Sequence, residues 1–136
     1  MVEQKKVYDD LLARGARFFN AIHPNVYVDL TADLGIGILL ASHCSVMPNA
    51  KVGNNCIICA ACSIDHDVVI GDNVYISPGV NLAGGCQIGA GTFIGTNAAV
   101  LPKVRVGNNC VIGAGAVVKD DVSDGIRVAG IPAKQI

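Results

Sequence analysis

The residues best equipped for chemistry stand together at Asp65-His66-Asp67. A histidine with an ordinary pKa of about 6.5 can accept a proton at neutral pH. Acidic neighbours favour its charged form and can orient one ring nitrogen while the other faces a substrate. Abstraction of a proton from an amine or hydroxyl is the chemistry such a group offers. Either Asp67 or Asp65 can hold the ring, and a solvent-facing corner histidine without a role fits the same residues. The six cysteines are the other reactive groups, and Cys56, Cys59 and Cys62 form a C-x2-C-x2-C run that invites a metal reading. No fourth ligand lies nearby, and Cys59 falls at a different place in the repeat from the other two.

What must position His66 is a six-residue repeat. In steps of six through Ile64, from Val28 to Val118, all sixteen positions are Val, Ile or Leu, and thirteen are Val or Ile, which favours strand over helix. A period of six is a multiple of a strand's two-residue alternation but not of 3.6, so these side chains can all face one interior. The second position is Gly in seven of the sixteen repeats, and the third and fourth hold pairs such as Asn54-Asn55, Asp72-Asn73 and Asn108-Asn109. Gly and Asn tolerate the positive backbone angles of sharp corners, so each hexad reads as a short strand plus a corner. Cys44, Cys56, Cys62, Cys86 and Cys110 occupy the fifth position, where other repeats carry Ala, Val, Thr or Ile38, and act as small apolar fillers. With Ile64 and Val68 directed inward, His66 points out. A fixed period this short predicts an all-β fold, a β-helix whose turns stack on one another.

Residues 28–123 carry the repeat. Residues 1–27 are expected to form a short helix with Val7, Leu11 and Leu12 on one stripe and a stop at Gly15, followed by a capping segment. There Phe18 and Phe19 would cover the open bottom, and with Ile22 they lead into His23-Pro24, where the residue before proline is extended. Residues 124–136, broken by Gly125, Gly130 and Pro132, cap the upper end. At 136 residues this is one domain. The apolar runs are too short for a membrane helix and the start, MVEQKKVYDD, has no signal-peptide core, so a soluble cytoplasmic protein away from membranes is expected. Between Val52 and Ala99 there is no Lys or Arg, only Asp65, Asp67 and Asp72. From Val100 onward Lys103, Arg105, Lys119, Arg127 and Lys134 outnumber Asp120, Asp121 and Asp124, so an anion would prefer the C-terminal end. Those basic residues are dispersed and lack aromatic neighbours, which argues against nucleic acid.

The repeat resembles the left-handed β-helix of hexapeptide-repeat acyltransferases. In that family three hexads make one triangular coil of 18 residues, which implies about five coils here. The column through His66 is then Pro48, His66, Gly84, Pro102, with Gly84 one layer, about 4.8 Å, above the imidazole. Glycine leaves room for a substrate and offers an N–H to a developing oxyanion, and Gly85 widens the gap.

More narrowly, IHPNVYV, IDHDVVIGDNVYISPGVNLAGG, IGTNAAVLPKVRVGNNCVIGAGAVVKDDV and the closing VAGIPAK look like the sugar acetyltransferases of the sialic acid and bacillosamine type. The resemblance implies acetyl transfer from acetyl-CoA to an amine or hydroxyl of a sugar or nucleotide sugar, by direct attack and without a metal. His66 would be the base and Asp67 its partner. Acetyl-CoA would lie toward the C-terminus between subunits of a homotrimer, in contact with Tyr75, Gly84, Gly85, Thr96 and Ala114. Lys119 and Lys134 would be near its phosphates. Family members usually carry a Rossmann-like domain in front, where this sequence has only a helix, so a short relative, a fragment or a different acceptor are all open. Two other classes compete. A zinc hydratase like the γ-class carbonic anhydrases needs three converging histidines, and the spacings of His23, His43 and His66 miss the coil period. A catalytically silent scaffold or trimerisation module needs no site at all.

Overall fold

The computed structural model describes residues 2–136. From Ala21 to Val118 the chain winds as a left-handed parallel β-helix of two-residue strands, each paired with the strand 18 residues before it, the strand 18 residues after it, or both. Face 1 carries Ala21–Ile22, Leu39–Leu40, Ile57–Ile58, Tyr75–Ile76, Phe93–Ile94 and Val111–Ile112. Face 2 carries Tyr27–Val28, Ser45–Val46, Ser63–Ile64, Asn81–Leu82, Ala99–Val100 and Val117–Val118, and face 3 the strands from Asp33–Leu34 to Arg105–Val106. Pairing is in register, so Ile64 stacks between Val46 and Leu82 inside the prism.

The aliphatic at the first position of each hexad builds the core. From Leu40 to Val118 none is more than 3% exposed, whereas Val28 and Leu34, with no full coil beneath them, are only partly buried. From Gly37 to Gly115 the fourth position turns each corner with a positive φ, as at Asp67 (58°), Asn73 (58°) and Gly85 (71°), which is why Asn, Asp and Gly recur there. Cys44, Cys56, Cys62, Cys86 and Cys110 are buried fillers; burial pushes the Cys56 thiol up to about 11 and that of Cys86 up to about 12, keeping both protonated. Cys59 alone turns outward, its thiol 3.5 Å from the Tyr75 hydroxyl, so the C-x2-C-x2-C run does not converge. Among the described residues no three of His, Cys, Asp or Glu gather as metal ligands.

The structure departs from the sequence expectation in three places. Ile22 pairs with Leu40 in the repeat's own register, so the β-helix starts one hexad before Val28 and makes about six turns. His23-Pro24 is therefore a corner and not a link to it. The helix α1 (Val2–Ala13) leaves Val7, Leu11 and Leu12 exposed and buries Tyr8 instead. It lies along the edge between faces 3 and 1, where Gln4 donates to the Asn55 carbonyl (3.1 Å), and this turns Tyr8 onto Gly37 and Phe18. Phe19 is 85% exposed and covers nothing. At the other end Arg127–Ala129 adds to face 1 in parallel and Lys134–Gln135 folds back on it antiparallel. No helix among the described residues is long and apolar enough to cross a membrane.

Candidate active site

His66 sits where the chain leaves face 2 for face 3. Ile64 and Val68 are fully buried on either side, so the imidazole projects from the edge. Asp65 Oδ1 accepts the His66 backbone N–H at 2.7 Å and fixes the corner. Asp67 takes the positive φ, which swings its carboxylate back to the ring, and His66 Nδ1 donates to Asp67 Oδ2 at 2.9 Å. That bond puts the proton on Nδ1 and leaves the Nε2 lone pair free in the neutral ring. The His66 pKa is raised above its ordinary value, first by the Asp67 hydrogen bond and then by the charge of Asp65, against a smaller opposing effect of lost hydration.

The stacked carbonyls verify the column. Asp67 N–H donates to Pro48 O (3.0 Å), Gly85 N–H to His66 O (2.9 Å) and Lys103 N–H to Gly84 O (3.1 Å). Gly84 lies against the ring: a Cβ there would be 2.5 Å from Nε2 and 2.6 Å from Cε1. Its φ is not positive, so the imidazole and not the backbone demands glycine. Among the described residues no acceptor takes the Gly84 N–H.

The other expected residues lie elsewhere. Thr96 and Ala114 stand on the edge between faces 1 and 2, above Ser42, Ala60 and Pro78, as the bonds Gly79 N–H to Ala60 O, Asn97 N–H to Pro78 O and Gly115 N–H to Thr96 O record. Tyr75 faces out of face 1, stacked on Phe93 with ring centroids 5.5 Å apart. Lys119 pairs with Asp120 (2.9 Å), which is three coils above His66 in its column, and Lys134 lies in the last strand. One chain thus splits the set into a His66 edge and a Thr96 edge. The full width of face 2 lies between them, six extended residues or at most about 20 Å.

Three further polar residues, unremarked as a group in the sequence, meet at the foot of the Thr96 edge: His23, Asn25 and His43, joined through the Asn25 amide. The signal was the 18-residue offset between Asn25 and His43. On face 3 an open groove of about 650 Å³ is lined by Val69, Gln87, Ile88, Arg105, Val106 and the glycine column Gly71, Gly89 and Gly107.

Residues 49–84 and 85–120 match the model of the bacterial transferase hexapeptide family (six repeats). Three solved structures superpose closely. Perosamine N-acetyltransferase from Caulobacter crescentus, in complex with CoA and GDP-perosamine, is 31% identical with a TM-score of 0.96 over 97% of this chain and 63% of its own. The acetyltransferase domain of PglB from Neisseria gonorrhoeae FA1090, in complex with acetyl coenzyme A, is 33% identical with a TM-score of 0.94 over 97% of this chain and 64% of its own. WeeI from Acinetobacter baumannii AYE is 27% identical with a TM-score of 0.94, covering 99% of this chain and 66% of its own. The chain therefore spans just under two thirds of the length of each.

Proposed function

The chain belongs to the bacterial hexapeptide transferases, and from that premise we propose that it moves an acetyl group from acetyl-CoA to an amine or hydroxyl of a sugar or nucleotide sugar, with His66 as general base. The observation that carries this is the imidazole itself: Nδ1 is held by Asp67 while Nε2 is free against Gly84, whose N–H meets no acceptor among the described residues. His66 Nε2 takes the proton of the attacking amine or hydroxyl as its nitrogen or oxygen bonds to the thioester carbonyl carbon. The carbonyl oxygen becomes an oxyanion, to which the Gly84 N–H donates. Collapse breaks the carbon–sulfur bond, and the imidazolium returns the proton to the leaving thiolate. No acyl-enzyme forms. Asp67 stabilises the imidazolium and keeps Nδ1 from competing. The similarity to proteins bound to CoA, acetyl-CoA and GDP-perosamine supports the substrate classes.

The working unit is a homotrimer, because only a second copy brings the two edges together. If face 1 of one copy packs on face 3 of the next around a shared axis, the Thr96 edge of the first meets the His66 edge of the second. The surfaces suit that pairing: face 1 presents Leu39, Ile57, Tyr75, Phe93 and Val111 outward, and face 3 presents the glycine-lined groove. Acetyl-CoA then runs upward between Gly84 and Gly85 on one side and Tyr75, Thr96 and Ala114 on the other, toward Lys119 and Lys134. Six unpaired thiols suit a reducing cytoplasm.

The test is mass-spectrometric detection of acetylated products from a panel of amino sugars and nucleotide sugars. His66→Ala is expected to abolish transfer while keeping Tm, trimer mass and acetyl-CoA binding; product formation at the wild-type rate would sink the assignment. Absence of any acetyl-CoA-induced thermal shift in the wild type would leave a scaffold.

A further inference from the structure

At the foot of the edge between faces 1 and 2, the corners of the first two coils bring His23, Asn25 and His43 into one hydrogen-bonded group. Asn25 Oδ1 accepts the His43 backbone N–H at 3.0 Å, and that donor fixes which end of the amide is oxygen. His23 Nδ1, 2.7 Å from the same oxygen, must therefore donate to it, so the Asn25 backbone N–H, 3.3 Å from that nitrogen, finds no lone pair there. The Asn25 Nδ2 then donates to His43 Nε2 at 3.3 Å, which puts the His43 proton on Nδ1. Two ring positions are left over: the His23 Nε2 lone pair and the His43 Nδ1–H. All three residues are exposed, and their side chains bond only to one another or to the His43 backbone N–H, so the core gains nothing from them.

Their height matters. In this edge column the coil of His66 carries Ala60 and Ala61, the coils above carry Pro78 and Thr96, and the coil directly below carries Ser42 and His43. When a second copy's His66 edge faces this column, acetyl-CoA occupies the upper coils and the open space below belongs to the acceptor. The local charge also separates the two ends. From Phe18 to Ala50 there is no Lys or Arg, only Asp29 and Asp33, so a phosphate is disfavoured there while neutral hydroxyls and an amine are welcome.

Resting on the acetyltransferase reading and its trimer, we propose that His23, Asn25 and His43 form the acceptor subsite, holding sugar hydroxyls of an amino sugar opposite the partner copy's base. One acceptor lone pair and one N–H donor within the same group suit sugar hydroxyls, which both accept and donate hydrogen bonds. The nucleotide and its phosphates, where present, lie outside this pocket.

The experiment measures steady-state kinetics of the full chain with acetyl-CoA and each amino sugar and nucleotide amino sugar of a defined panel, GDP-perosamine included. His43→Ala and His23→Ala are expected to raise the acceptor KM about tenfold or more while leaving the acetyl-CoA KM within twofold. His43→Asn, which restores a donor, is expected to recover part of the loss. In parallel, imidazole Cε1–H NMR signals, only three per chain, report binding without turnover: an accepted sugar should shift those of His23 and His43 in a His66→Ala background. An unchanged acceptor KM with unmoved His23 and His43 signals would overturn the subsite alone. Failure of the wild type to acetylate any member of the panel would overturn it together with the reading beneath it.

Discussion

One methyl group tests the geometry of the proposed base. Gly84→Ala adds a Cβ that would lie 2.5 Å from His66 Nε2, 2.6 Å from Cε1 and 3.2 Å from Cδ2. Ordinary contact needs about 3.5–4.0 Å, so the ring must retreat by about 1 Å. It cannot do so and keep Nδ1 at 2.9 Å from Asp67 Oδ2, because any rotation that clears Nε2 swings Nδ1 as well. The backbone is indifferent: φ at Gly84 is not positive, and the bonds from Lys103 N–H to Gly84 O and from Gly85 N–H to His66 O survive. Stability should stay near wild type, with Tm moved by less than about 5 °C. A displacement of about 1 Å is worth about 100-fold in rate, and loss of a general base about 100- to 10,000-fold, so kcat/KM is expected to fall at least about 100-fold. Chromatographic detection of released CoA is the assay, since thiol dyes would also report cysteines. The double variant His66→Ala with Gly84→Ala supplies the control: with no ring to displace, it should be no slower than His66→Ala alone. Wild-type kcat/KM in Gly84→Ala, or a double variant slowed by the product of both effects, would refute the reasoning.

The proposed base at His66 acts only when neutral, so kcat/KM should rise with pH through its raised pKa. Asp67→Asn removes the largest cause of that elevation, so the midpoint should move to lower pH and the plateau should drop about tenfold; a midpoint that stays or rises contradicts the assignment. In the core, Ile76→Ala should cost about 2–5 kcal/mol in chemical denaturation, since Ile76 is fully buried between Ile58 and Ile94. Iodoacetamide followed by mass spectrometry should label no more than one thiol per folded chain, at Cys59, and all six after denaturation.

The hexad made the fold legible because each inward side chain stacks on its own kind one coil away, so the packing rule is written into sequence period. The same rule gave the direction of His66, while its place beneath Gly84 came from the 18-residue coil that the family resemblance implied. The residues alone left either aspartate to hold the ring and only the resemblance pointed to Asp67, since the choice follows from φ at Asp67. The start of the β-helix was missed at Ile22 because the bottom coil is packed from one side only and its corner reads as His23-Pro24. The helix stripe of Val7 and Leu11 misled for a related reason: α1 lies along an edge, and an edge contacts one line of side chains and not a broad face. The division of the expected residues between two edges could be read only after the coil had been closed into a prism.

The tail has a consequence for growth. Every rung of the prism leaves N–H and C=O groups pointing up the stack, a template on which another chain's strands could add without limit. Val122 bridges Val106, Gly130 O accepts Val117 N–H, Val117 O accepts Ala133 N–H, and Lys134–Gln135 closes face 1 in the opposite direction. A strand running antiparallel cannot seed another parallel coil. Residues 122–135 therefore block the addition of a further parallel coil to face 1 at the upper end.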